Sequence, residues 1–229
     1  MLAIAPTAVT QTTAGGLVGF VITGTSWTGN VQLSSPGLDI ACPGNPDVPF
    51  KFLFSNATGS GTSGFIVPSD DNGQFKVIGE GANCLPGTYT IEAQEVASPA
   101  RQRTATITIN RGNPPVGLIV SPNAQTETGS RREVAVALIV NGLSGKQPYA
   151  LASPGLQGAC AATSVAPLNR PLVFSALPAR GPTFITNFVG NAPLVLFANA
   201  CLPGTYAVTV TEIGGLGRSF PTGVTVLPT

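Results

Sequence analysis

Asn83-Cys84-Leu85-Pro86-Gly87-Thr88-Tyr89-Thr90-Ile91-Glu92-Ala93 is the stretch from which the fold is read, and it occurs twice. The second copy is Ala200-Cys201-Leu202-Pro203-Gly204-Thr205-Tyr206-Ala207-Val208-Thr209-Val210. A cysteine, a Pro-Gly turn, then tyrosine with alternating apolar residues predict a turn feeding a half-buried strand. Two further blocks repeat. Pro36-Gly37-Leu38 with Cys42 matches Pro154-Gly155-Leu156 with Cys160, 118 residues later. Val18, Phe20, Ile22 and Gly24 match Val136, Leu138, Val140 and Gly142, again 118 later, against 117 for the cysteine-tyrosine block. Three blocks at nearly one offset predict a tandem duplication with units at 1–111 and 112–229, each of ordinary domain size.

Composition narrows the class. Only 9% of the 229 residues are charged, there is no histidine, and glycine (28) and proline (21) are plentiful. That charge content is far below the roughly 25% of an average globular protein. Residues 1–111 carry five Lys/Arg and seven Asp/Glu, a net −2; residues 112–229 carry six and three, a net +3. This balance excludes a nucleic-acid surface, which needs a basic face to displace counterions. Arg131-Arg132 is the one basic pair and reads as an exposed turn. Mean hydropathy is +0.30, yet no run of apolar residues is long enough for a transmembrane helix. Met1 to Pro6 lacks the basic start and apolar length of a signal peptide. The apolar excess is therefore expected inside cores or at contacts between chains. A surface poor in charge suits dense packing against neighbours, because little charge must be desolvated.

The four cysteines fall two per unit, Cys42 and Cys84, then Cys160 and Cys201, separated by 42 and 41 residues. Paired cysteines duplicated with the unit predict one disulfide in each. Without CxxC or histidine, two thiolates make no tetrahedral zinc site. A disulfide closing such a loop adds roughly 4 kcal/mol in the chain-entropy model and implies an oxidising location, extracellular or on a cell or virion surface.

Seven or eight short strands are predicted per unit, with no helix. In the first they are Ile4–Val9, Gly16–Gly24, Asn30–Leu33, Phe50–Phe54, Gly64–Val67, Gln74–Ile78, Thr88–Ala93 and Thr104–Ile109. Asn72-Gly73 reads as a hairpin turn between the fifth and sixth of these. In the second they are Leu118–Val120, Glu133–Val140, Tyr149–Leu151, Leu172–Phe174, Thr183–Phe188, Leu194–Phe197, Tyr206–Val210 and Gly223–Val226. This is the pattern of an all-β protein made of two tandem Ig-like antiparallel β-sandwiches. If consecutive strands run up and down, Cys42 and Cys84 meet at one pole rather than through the core. Trp27 packs under a hairpin. The linker Arg111-Gly112-Asn113-Pro114-Pro115 is semi-rigid, which predicts two domains end to end as a short rod.

Gly15-Gly16 through Gly24, Gly73-Gln74-Phe75 and Pro86 through Ala93 resemble the Ig-like modules of bacterial extracellular proteins and phage particles, of the IPT/TIG or bacterial-Ig kind. The resemblance covers both units. It implies spacers, adhesive stalks, filament subunits or virion decorations, and no particular activity. Many such modules lack cysteines, a departure here.

Chemistry is sparse. The absence of histidine removes the commonest general base and the Ser-His-Asp and Cys-His arrangements. The ten acids are Asp39, Asp47, Asp70, Asp71, Glu80, Glu92, Glu95, Glu127, Glu133 and Glu212. None is read as having a counterpart in the other unit, so no catalytic dyad is duplicated. The expectation is a non-enzyme with no cofactor and no metal. Asp70-Asp71-Asn72-Gly73 lacks calcium-loop spacing and reads as a turn. Asn56-Ala57-Thr58 is a formal glycosylation sequon. Phe50, Phe52 and Phe54 alternate as the inner face of a strand, or else as a carbohydrate platform. The leading expectation is a structural building block whose partners are copies of itself or a larger shell or filament. The runner-up is an adhesin or carbohydrate-binding rod contacting glycans through Thr25–Gly29 and Asn56–Gly64, with Trp27, Asn56 and Ser60 as candidate contact residues.

Overall fold

The computed structural model describes residues 1–12, 16–44, 51–99, 101–127, 132–160 and 182–228 in full, and 172–176 for the backbone alone. The first half contains β1 (Leu2–Ala5), β2 (Ala8–Thr10), β3 (Val18–Gly24), β4 (Asn30–Ser34), α1 (Pro36–Ala41), β5 (Leu53–Ser55), β6 (Ser60–Gly61), β7 (Phe65–Pro68), β8 (Phe75–Gly81), β9 (Gly87–Glu95) and β10 (Gln102–Asn110). The second half contains β11 (Gly117–Ser121), β12 (Ala124–Thr126), β13 (Glu133–Asn141), β14 (Pro148–Ala152), α2 (Pro154–Ala159), β15 (Leu172–Ala176), β16 (Thr183–Ile185), β17 (Ala192–Asn199), β18 (Gly204–Glu212) and β19 (Ser219–Leu227).

The strands form four sheets: β1-β3-β8-β5-β6, β2-β10-β9-β4-β7, β11-β13-β17-β15 and β12-β19-β18-β14-β16. Each half is a two-sheet sandwich with Ig-like strand order. Proline explains one departure from expectation. Pro6 has no N–H to give a ladder, so the predicted strand Ile4–Val9 divides there. β1 pairs antiparallel with β3 in one sheet, and β2 pairs parallel with β10 in the other. Pro122 divides β11 from β12 in the same way. The two helices were not expected. Each has six residues, too few to show a helical period. Their signal is local: Ser35-Pro36 and Ser153-Pro154 put proline in the first turn, where its missing N–H costs nothing. The hairpin expected at Asn72-Gly73 is instead a bridge between sheets, because β7 pairs with β4 and β8 with β3 and β5.

Pairing also corrects the repeat. Leu2 faces Gly24 as Leu118 faces Val140, and Val18 faces Gly81 as Val134 faces Ala198. β3 therefore corresponds to β13 with an offset of 116, not 118. A shift of two residues keeps every side chain on its own face, which is why the alternation matched at the wrong register. The difference is absorbed by a longer loop before β14, since Asn30 and Pro148 accept equivalent bonds from Val96 N and Ile213 N, both at 2.9 Å.

The burial patterns show where the sheets lie. β9 and β18 alternate, with inner residues buried and outer ones open, while β8 and β17 are buried at every position and β3 and β13 at nearly every one. Strands buried on both faces read as continuous apolar runs. One core fills the first sandwich around Phe20, Phe52, Phe54 and Ile91; another fills the second around Leu138, Tyr149, Leu196 and Val210. A third apolar layer lies between the halves, made by Val21 and Ile78 with Ala135, Ala137, Val195 and Phe197. Leu17 and Ala82 cluster with Ile139 and Ile119 beside it. The molecule is thus four stacked sheets, face to face, and the end-to-end rod is overturned. The Pro-Pro linker sets a spacing; the apolar faces of β3, β8, β13 and β17 decide the geometry.

β3 and β13 run in opposite directions across this seam: Leu17 clusters with Ile139, Gly19 lies against Ala137, and Lys76, paired with Thr23, reaches Glu133. A Cβ on Gly19 would stand 2.7 Å from the Ala137 Cβ. Gly19→Val is expected to cost about 1–3 kcal/mol through overpacking. Calorimetry should then show one cooperative transition splitting into two, with faster proteolysis in the linker; unchanged melting would refute the seam.

Candidate functional site

Both predicted cysteine pairs are bonded, Cys42–Cys84 and Cys160–Cys201. Each joins the residue after the short helix to the residue two before the Pro-Gly turn, so each is a buried staple at the pole of its sandwich, at the end of the core. The surrounding bonds repeat. Leu85 N donates to Ala41 O at 2.8 Å and Leu202 N to Ala159 O at 2.9 Å. The Tyr89 hydroxyl donates to Leu85 O at 2.8 Å and the Tyr206 hydroxyl to Leu202 O at 2.6 Å. These fix the entry of β9 and β18.

The three candidate contact residues do not converge. Trp27 is 3% exposed. Its ring lies 6.1 Å from Phe75 with the Arg101 guanidinium 5.8 Å above. It is a core residue in the place Leu143 takes in the second half: Trp27 N donates to Gly73 O, and Leu143 N to Gly190 O. Trp27 is therefore not offered to a ligand. Asn56 lies at the seam. Its Oδ1 accepts from Thr58 N, Thr58 Oγ1 and Gly59 N, all within 2.9 Å, and Ala57 packs on the inter-half cluster. A crevice lined by Asn56, Thr58, Lys76, Glu133 and Asn199 opens there. Ser60 is exposed, paired with Ser55 at the sheet edge. Phe52 and Phe54 are fully buried, which supports their inner-face reading; Phe50, Asp47 and Arg131 lie outside the described residues. Arg132 pairs with Glu127 at 2.6 Å. Asp70 Oδ1 caps its turn, accepting from Asn72 N at 2.9 Å and Gln74 N at 2.8 Å.

The seam carries two ionisable groups that the sequence did not single out. Lys76 Nζ donates to Gln125 Oε1 at 3.0 Å, Thr126 O at 3.2 Å and Glu133 O at 2.9 Å. It clasps the second half. Burial lowers its pKa to about 8, against the pull of Glu133 and Glu127. Glu80, two turns of the pleat along on the same face, is fully buried and neither carboxyl oxygen has a hydrogen-bond partner. Desolvation raises its pKa well above the ordinary value, so burial favours the neutral carboxyl. In the second half Phe197 takes this position.

One pair of acids does recur, contrary to expectation: Glu95 and Glu212, 117 residues apart, end β9 and β18. Each is buried and ion-paired, with Arg101 at 3.3 Å and Arg218 at 3.1 Å. Hydrogen bonds from the Thr28 hydroxyl and amide, more than Arg101, hold the Glu95 carboxyl below its usual range. These are loop clamps, each a single carboxylate, and no acid dyad results. Among the described residues no group of three or more His, Cys, Asp or Glu side chains is placed to hold a metal, and no helix is long and apolar enough to cross a membrane.

The outer sheets present flat faces. On β18 and β19 the outward residues are Thr205, Ala207, Thr209 and Thr211 opposite Thr225, Gly223, Pro221 and Ser219. None is charged. On β9 and β10 they are Thr88, Thr90, Glu92 and Gln94 opposite Thr108, Thr106, Thr104 and Gln102. Hydroxyl pairs link the strands, Thr88 with Thr108 at 3.1 Å and Thr205 with Thr225 at 3.0 Å.

No protein-family model matches the chain, and no curated protein matches it. Among solved structures, the Yersinia pseudotuberculosis adhesin InvE aligns at TM-score 0.33 and 16% identity, over 99% of this chain and 58% of its own. Domains 5–6 of the S-layer protein SbsC align at TM-score 0.36 and 16% identity, over 100% and 97%. Invasin, a bacterial integrin-binding protein, aligns at TM-score 0.30 and 11% identity, over 99% and 38%. At TM-scores this low the neighbours carry no inference about what this chain does.

Two outcomes test the staples and the seam. Cys84→Ser is expected to lower stability by roughly 2–4 kcal/mol, read by urea unfolding of the non-reduced protein against the natural chain. For Glu80 the sign follows from its raised folded pKa: between the unfolded value of 4.5 and the higher folded value, the native state holds the extra proton, so stability falls as pH rises. Glu80→Leu should flatten that slope and gain about 1–3 kcal/mol at neutral pH by removing an unpaired buried carboxyl. An equally steep profile in the variant would assign the slope elsewhere.

Proposed function

We propose that the chain is a non-enzymatic structural protein, a building block or decoration of an extracellular or virion surface assembly. Its two Ig-like units, 1–111 and 112–229, descend from a tandem duplication and resemble modules of the IPT/TIG or bacterial-Ig kind. The observation that supports this most directly is the outer face of β18 and β19, eight outward residues without a charge. Such a face packs against a neighbour without stripping water from ions. Its threonines present β-branched side chains that fit a pleated surface, and the hydroxyls of Thr205 and Thr225, and of Thr211 and Ser219, already bond across the strands. The partners are copies of this chain or a larger shell or filament. Two cystines fit an oxidising setting outside the cytosol. The alternative, a carbohydrate-binding or adhesive rod, loses its aromatic platform, because Trp27, Phe52 and Phe54 are inside.

Light scattering and electron micrographs of the same non-reduced sample test this reading. Rings, filaments or particles are expected, and Ala207→Glu, placing a charge in the middle of the outer face, should disperse them. A monomer of 23.1 kDa at high concentration that also decorates no particle would overturn it.

A further inference from the structure

The poles away from the two disulfides are built alike but tipped differently. In the first half Asp70 N donates to Gln74 O, Gly73 N to Asp70 O, and Asp70 Oδ1 accepts from Asn72 N and Gln74 N. In the second half Asn187 N donates to Asn191 O, Gly190 N to Asn187 O, and Asn187 Oδ1 accepts from Val189 N at 3.2 Å and Asn191 N at 2.8 Å. The turn is the same. Its tip is Asp71-Asn72 in one and Phe188-Val189 in the other. The neighbouring hairpin is apolar in both halves, Val96 and Pro99 in the first and Ile213 and Leu216 in the second, with the larger leucine at the second tip. Phe188 is 67% exposed and Leu216 is 86% exposed.

These apolar tips stand on a rigid base. Leu143 N donates to Gly190 O at 3.0 Å and Lys146 N to Asn187 O at 3.1 Å. Thr186 Oγ1 donates to Ser144 O at 2.7 Å, and Arg218 Nη2 to Ser144 Oγ. Loops 142–147, 187–190 and 213–218 are thus one stitched cluster. Fixed loops that hold large apolar side chains in water forgo their burial, which marks a contact surface.

Charge selects the partner. The Lys146 ammonium lies 5.4 Å from the Phe188 ring centroid, and Arg218 borders the tip. The nearest acid, Glu212, is buried against Arg218. The second half contains no aspartate, and its other glutamates, Glu127 and Glu133, sit at the opposite end with Arg132 and Lys76. The tip is apolar with one uncompensated cation, Lys146, over its aromatic ring. A bilayer needs only that a few side chains pass the headgroups while cations meet anionic lipid.

We propose that the Phe188–Leu216 pole docks on an anionic lipid surface, with Phe188, Val189 and Leu216 entering the interface and Lys146 meeting headgroup phosphates. This goes beyond assembly through the outer faces and does not depend on it.

Co-sedimentation of the full chain with phosphatidylcholine vesicles, with and without phosphatidylglycerol, tests the proposal. Binding is expected on the anionic vesicles and should weaken with salt. Phe188→Asp, which restores the first half's residue at the turn tip, together with Leu216→Asp should lower partitioning at least about tenfold with the melting temperature unchanged. Lys146→Glu should weaken binding to anionic vesicles alone. No binding by the natural chain, or equal binding by the double variant, would overturn the proposal. So would a drop in solution mass of the double variant without vesicles, which would assign the tip to a second copy. Light scattering of the Ala207→Glu variant reads assembly separately.

Discussion

The two middle sheets are buried on both faces, and the whole architecture answers to that fact. A sheet buried on one side is satisfied by one partner; β3, β8, β13 and β17 are buried on both sides and need two. Each half closes one side with its own second sheet. The other side is closed only by the other half, so the four layers form a single stability problem although each half has its own core. Glycine permits the closest approach: Gly19 has no side chain where Ala137 comes in. Among the described residues two ionisable groups are sealed into the seam, and they behave oppositely. Lys76 finds three oxygens on the far side, and Glu80 finds none.

With the inner faces committed to the seam, what remains for partners is the outside: two threonine-rich sheet faces and the two ends. The ends are unlike. Because β3 and β13 run in opposite directions, the polar pole of the first half lies beside the stapled pole of the second, and the apolar pole of the second beside the staple of the first. The molecule is therefore polarised along its length, acidic at Asp70 and Asp71, apolar and cationic at Phe188, Leu216 and Lys146.

Most of the strand set was legible, because alternation and Pro-Gly turns are local signals. β9 and β18 follow directly from the Cys-Leu-Pro-Gly-Thr-Tyr blocks. The pairing of Cys42 with Cys84 and of Cys160 with Cys201 was legible from matched spacing. What failed was non-local or below the resolution of a period. The short helices after Ser35 and Ser153 are one and a half turns long. The division at Pro6 depends on which sheet each side joins. The seam was not legible as a seam: Val134-Ala135-Val136-Ala137-Leu138-Ile139-Val140 is unbroken apolar sequence, a direct sign of a strand buried on both faces, and it was read only as alternation. That sign also contradicts a rod. The recurrence of Glu95 at Glu212 was present in the 117 offset and needed only subtraction.

The fit at Gly19 also sets which halves tolerate each other. β3 and β13 correspond with Gly19 in the place of Ala135, and Val21 in the place of Ala137. Two second halves meeting by the same face would bring Ala135 against Ala137, methyl against methyl, where a Cβ stands at 2.7 Å. Two first halves would bring Val21 against Gly19, a larger group into the same gap. The pairing of two second halves collides and the unlike pairing seats, and the Lys76 clasp has no twin because its equivalent in the second half is Pro193. Such a face discriminates by steric exclusion, and the short linker keeps the correct mate at high local concentration. A chain emerging among many identical chains would then close on itself before it joins them.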